Sequence, residues 1–162
     1  MRASVLFAIA TIATTSGAIA APGWSVESSE IAYLFYGEPG KPLLTITCGQ
    51  QEGETGKGET RIEVKVDPGT KPGGGKVELV VTHKGGKAKI PLKADVCGPQ
   101  EPCATGKDGE VYRYATSVAG KALALDIAER GKVVSLDAPG VKIAASADET
   151  SFQKFAGFCR NW

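Results

Sequence analysis

The residues best equipped for chemistry in this chain are four cysteines, Cys48, Cys97, Cys103 and Cys159. A cysteine pair can form a disulfide, hold a metal or attack a substrate, and spacing separates these roles. No two cysteines stand as C-x2-C or C-x4-C, and His83 is the only histidine, so neither a zinc knuckle nor a dithiol redox motif is spelled out. Four cysteines allow three pairings. Cys97 and Cys103 close a short CGPQEPC loop, and pairing them leaves Cys48 to meet Cys159.

Other candidate chemistry is thin. A lone His83, among lysines beside a Gly-Gly turn, has no imidazole partner and reads as a solvated turn residue rather than a base activating a nucleophile. Asp108 with Glu110, and Asp126 with Glu129, are spaced for paired acid/base work, yet they alternate with polar or basic neighbours as solubilising charge does. The glycine-rich stretches fail the Walker pattern at both Gly-Lys steps: Gly58 follows Gly56-Lys57 and Val77 follows Gly75-Lys76, where Ser or Thr is needed to bind magnesium. The expectation is a non-enzyme with no cofactor and no metal.

The N-terminal segment bounds the setting. Arg2, an apolar run from Val5 to Ala13 and Ala18-Ile19-Ala20 read as a secretory signal peptide over residues 1–20, cleaved after Ala20, with one domain over 21–162. The apolar run is too short for a membrane span. With Arg2 gone, the 19 Lys and Arg fall level with the 18 Asp and Glu, a balance that recruits neither nucleic acid nor an anionic membrane. Export to the periplasm or medium is the oxidising setting in which two disulfides form.

The elements that must position these residues read as mainly β. Glu30 to Cys48 forms a hairpin with its turn at Gly37 to Pro42, apolar on both faces, as in the middle of an antiparallel β-sandwich or barrel. Trp24 to Glu27, Arg61 to Val66, Lys76 to Thr82, Lys87 to Leu92, Val111 to Ala115 and Val133 to Leu136 add strands, about 8 in all. Residues 49–60 and 67–75 read as polar, glycine-rich loops. Residues 116–130 suit either helix or strand. The alternation of Leu123, Leu125 and Ile127 favours a strand that returns at Val133. A short C-terminal α-helix, capped at Thr150 or Ser151 with Gln153 completing a capping box, carries Phe152, Phe155 and Cys159 on one face.

The layout resembles a group of small exported bacterial proteins of largely unassigned role, in which a tryptophan opens the mature domain, a cysteine ends an early strand and a helix ends in F-x-x-F-x-x-x-C: here Trp24, Cys48, and Phe152, Phe155 and Cys159. The resemblance implies a periplasmic address. A more distant similarity, to small periplasmic β-barrel lysozyme inhibitors, rests on Gly109, Val111 and Tyr112 followed by Gly120, Lys121 and Leu125, with ATGKDGE standing where that group has a serine-glycine-rich loop.

Function is therefore expected at a surface. The first reading is a protein-binding module whose partner is another envelope or extracellular protein; the alternative is an inhibitor of a hydrolase acting through the stapled loop. Candidate contacts are Pro99, Gln100, Glu101 and Pro102 in that loop, and Lys87 and Lys89 on an edge strand. Non-reducing peptide mapping should link Cys97 to Cys103 and Cys48 to Cys159; a Cys48 to Cys97 bridge would undo the pairing.

Overall fold

The computed structural model describes residues 21–49, 58–67, 70, 75–96 and 112–161. The leader, the CGPQEPC loop with its candidate contacts, Asp108, Glu110 and most of the two glycine-rich loops lie outside them. The elements in chain order are β1 (Gly23–Ser28), β2 (Ile31–Glu38), β3 (Lys41–Gly49), β4 (Glu59–Lys65), β5 (Val77–His83), β6 (Gly86–Val96), β7 (Tyr112–Ala119), α1 (Ala122–Arg130), β8 (Val133–Ala138), β9 (Val141–Ser146) and α2 (Glu149–Arg160). The fold is the expected antiparallel β-sandwich or barrel: nine strands in the order β1-β2-β3-β4-β7-β6-β5-β8-β9 form a nearly closed sheet.

The corner is made by β6. Its first part, Gly86 to Leu92, pairs with β5, and its last residues, Lys93 to Val96, pair with β7. One strand thus joins two faces that fold over a common core. Pro91, opposite Glu78, falls in the part of β6 that has a strand on one side only among the described residues, the kind of position where proline is found in sheets. Ile62 and Val64 of β4, Leu34 of β2, and Leu44 and Ile46 of β3 face Leu79 and Val81 of β5 and Val134 and Leu136 of β8 across the interior, all essentially without solvent exposure.

At one end the halves meet through the β8–β9 turn. Gly140 accepts a hydrogen bond from the Asp67 N–H at 3.0 Å, and the Tyr114 hydroxyl, fully buried, donates to the Pro139 carbonyl at 3.2 Å. Gly140 has φ +76°, and a Cβ there would stand 2.5 Å from Val66 Cγ1. Both the left-handed backbone and the close approach demand glycine.

Residues 122–130 correct the sequence reading. They form α1, not a strand, because Ala124, Ile127 and Ala128 are buried at helical spacing and Thr60 of β4 completes the helix start. The Thr60 hydroxyl, itself fully buried, donates to the Gly120 carbonyl at 2.9 Å and accepts from the Ala124 N–H at 3.3 Å. Alanine, leucine, glutamate and arginine are good helix formers, and a cap supplied from another strand adds to that preference. Val133 to Leu136 accordingly pairs with β5 and β9 instead of with residues 123–127.

The C-terminal helix is as expected in face and extent but not in cap. Asp148, rather than Thr150 or Ser151, is the N-cap, accepting from Ser151 N–H at 2.8 Å, and Gln153 bonds Glu149 along the helix. A hydrogen bond from the Ser151 side chain, followed by the one from its backbone N–H, holds the Asp148 carboxyl below its usual range. Phe152 meets Trp24 near one end of the helix and Cys159 meets Cys48 near the other, so α2 lies along the inner side of β1 to β3. Gly140→Ala should lower stability by about 2 kcal/mol through strain and overlap, read as a shift in urea midpoint with an unchanged slope.

Candidate functional site

The outward face of the first strands carries the most distinctive side chains in the described structure. Leu34, Leu44, Ile46, Ile62 and Val64 alternate inward, so the residues between them face away from the core. Cross-strand register lines these up in rows. Tyr33 lies opposite Thr47, Thr47 opposite Arg61, and Arg61 opposite Ser117. In the next row Phe35, Thr45, Glu63, Ala115 and Lys93 succeed one another. Both faces of the β2–β3 hairpin, apolar as they are, are expected to be covered; among the described residues α2 and the opposing strands cover the inner one.

At the β2 end of this face, Tyr33 and Phe35 stack with ring centroids 5.6 Å apart and planes 9° from parallel. Both rings are half-buried. Beside them lies a trough of about 390 Å³, lined by Gly23, Ser25, Glu27, Phe35, Pro39 and Pro42 among others. Its floor is bare because Gly23 and Gly37 face each other across β1 and β2 without side chains.

At the other end stands a fixed charge network. Arg113, only 6% exposed, donates from Nε and Nη2 to one Asp95 oxygen at 3.0 and 2.8 Å, and its Nη1 lies 3.2 Å from Glu63. Glu63 in turn pairs with Arg61 at 2.6 Å. The Arg113 hydrogen bonds, ahead of every other cause, hold the Asp95 carboxyl below the usual carboxylate range. Charges locked in this way present a rigid pattern that loses little entropy on meeting a partner.

On the inner face, Cys48 and Cys159 are both fully buried and touch as two thiols, with no bond between them. The hydrogen bond from Cys159 lowers the Cys48 pKa, and the same bond with burial raises that of Cys159. Lys121 lies near both sulfurs and donates to the Arg160 carbonyl at 3.0 Å, closing the last turn of α2. The sequence reading expects a Cys48–Cys159 disulfide; the structure places the two thiols side by side without that bond.

The remaining candidates scatter. Lys87 and Lys89 are exposed on β6, far round the sheet from the stacked rings, and Lys89 is engaged with Glu78 at 3.1 Å, which Lys76 also holds at 3.2 Å. Asp126 and Glu129 lie on α1, where Arg130 and Arg160 each take one carboxylate at 2.8 Å. His83 ends β5 beside its hairpin turn. Among the described residues no group of three metal-capable side chains comes together, and no helix is long and apolar enough to cross a membrane. No family model, curated protein or solved structure matches the chain.

Sequence reasoning missed the outward rows because both phases of β2 are apolar. The signal lay one strand on, in the alternation of Leu44, Ile46 and Cys48 with Thr45 and Thr47: the hairpin register ties Tyr33 and Phe35 to the threonines. Asp95→Asn should cost about 1 kcal/mol or less at neutral pH, as suits a partly exposed ion pair. A depressed carboxylate pKa gives stability that is present above the unfolded value near 3.8 and lost as pH falls through the folded one. The gap between wild type and variant in acid-titrated urea melts should therefore close at low pH; a gap constant with pH would show that the carboxylate charge is not involved.

Proposed function

We propose that this chain is an exported protein-binding module, periplasmic or secreted, that acts by contact rather than by turnover and engages another envelope or extracellular protein through the outer face of β1 to β4. The stacked Tyr33 and Phe35 carry the reading. Aromatic rings on the side of a sheet away from its core contribute little to folding, whereas aromatic anchors flanked by ordered polar groups dominate protein contacts. Thr45, Thr47 and the Arg61–Glu63–Arg113–Asp95 network supply the polar surround. Asp126 and Glu129 each pair with an arginine on the helices, away from this face.

The export reading supplies the oxidant that would convert the Cys48 and Cys159 thiols to a disulfide, with Cys97 and Cys103 forming the second. Closing so long a loop contributes on the order of 4 kcal/mol in the chain-entropy account.

A second reading, inhibition of a hydrolase, draws on one observation. The CGPQEPC segment connects β6 to β7, which are antiparallel neighbours with Val96 opposite Tyr112, so both ends of that connection are held side by side. Insertion of such a loop into a cleft would make Gln100 and Glu101 the contacts.

A photo-crosslinking side chain at position 33 should capture one partner in native envelope extract, and the same group at position 142, on exposed β9, should not. Tyr33→Ala with Phe35→Ala should abolish capture by a tagged chain while leaving the far-UV spectrum and melting temperature in place. Capture that survives this change but is lost in Gln100→Ala with Glu101→Ala would transfer the function to the loop.

A further inference from the structure

The strand order leaves β1 as a free edge, and its composition is unusual for one. β1 pairs with β2 along all six of its residues, from Gly23 opposite Gly37 to Ser28 opposite Ala32, and no strand pairs with its other side among the described residues. From across that edge the Trp24 indole N–H donates to the Ser146 carbonyl at 2.7 Å, near the start of the strand. From Ser25 to Ser28 the outer backbone groups meet no other element among the described residues. Edges are ordinarily kept from pairing by lysine, proline or a bulge. GWSVES has none of these, and its pairing with β2 runs without a register shift from Gly23 to Ser28.

Two features beside this edge specify what could join it. The trough on the outer face, with Phe35, Pro39 and Pro42 as walls and Gly23 and Gly37 as floor, is where side chains of an added strand would drop. The ribbon is also acidic within a nearly neutral protein: residues 21–40 contain Glu27, Glu30 and Glu38 and no lysine or arginine. All three carboxylates are exposed. Lys41 faces Glu38 across the turn, and cleavage before Ala21 would leave an ammonium group near the trough, so the uncompensated charge is centred on Glu27 and Glu30.

We propose that the free edge of β1 takes up an extended, basic segment of the partner protein by strand addition, its backbone pairing with Ser25 to Ser28 and its alternate side chains entering the trough and meeting Glu27. Main-chain bonds to an edge give affinity, and pockets on alternate sides give selectivity. The inference rests on the binding-module reading and names the chemistry of what is bound.

The test uses the purified full chain and three labelled octapeptides: alternating lysine and valine, alternating glutamate and valine, and the lysine peptide N-methylated at alternate amides. Fluorescence anisotropy should detect the lysine peptide alone. Glu27→Lys with Glu30→Lys should weaken it by about tenfold or more, and added salt should weaken it further. Hydrogen exchange should slow at Ser25 to Ser28 in the complex and nowhere on β9. Equal binding of the N-methylated peptide, or no protection of β1, would overturn strand addition, because charge alone would then explain the affinity. Failure of all three peptides would overturn this inference while leaving the crosslink at position 33 to decide the binding-module reading separately.

Discussion

The fold depends on how a sheet with two edges is shut. Nine strands, each antiparallel to its neighbours, place β1 and β9 at the ends of the order running in the same direction, and no ladder joins them among the described residues. Closure falls to Trp24. Its ring lies 5.0 Å from Tyr36 and edge-on to Phe152 at 4.8 Å, while its indole N–H reaches the last residue of β9. One side chain thus ties β1, β2, α2 and β9. Tryptophan suits the position because it offers a large apolar surface and a single donor at its edge.

The two helices make that closure durable. Phe152, Phe155, Ala156 and Cys159 fill the space between α2 and the strands, and α1 is fastened to α2 at three places: the Arg160–Glu129 ion pair, the Lys121 bond to the Arg160 carbonyl, and the proximity of Lys121 to the thiols. The α1 start depends in turn on Thr60 of β4. A chain of dependencies therefore runs from the middle of the sheet, through both helices, to the seam. Surface ion pairs contribute little each, so most of this coupling rests on the buried aromatic and aliphatic contacts.

The sheet has two unlike faces, and the division bears on function. Inside, apolar side chains pack without a buried polar side-chain atom left unsatisfied among the described residues. Outside, the first strands grade from stacked aromatics through threonines to interlocked arginines and carboxylates. Packing of the inner face fixes the pleat, and the pleat fixes the outer pattern to within the tolerance of a rigid strand. A surface built on strands rather than on loops meets a partner already ordered.

Most strands were set by local pattern, β9 being one that the sequence reading did not propose. Arg61 to Val66 alternates so cleanly that one residue in two must be buried, and the β2–β3 turn and the face of α2 bearing Phe152, Phe155 and Cys159 follow from turn chemistry and helical spacing alone. Cys48 was matched with Cys159 only by pairing Cys97 with Cys103 and joining the two that remained. Three features were decided only in three dimensions. Residues 122–130 hold good helix formers but also the alternation of Leu123, Leu125 and Ile127 that suits a strand, and burial of Ala124, Ile127 and Ala128 with the bond to Thr60 decided for helix. The outward direction of Tyr33 and Phe35 was undetermined while both phases of β2 were apolar, and cross-strand register with Thr45 and Thr47 chose it. The place of β1 at the end of the sheet among the described residues is a property of strand order, which no single segment encodes. Local periodicity reports which side of an element is buried; which element lies beside it depends on contacts distant in sequence, and those exist only once the chain has folded.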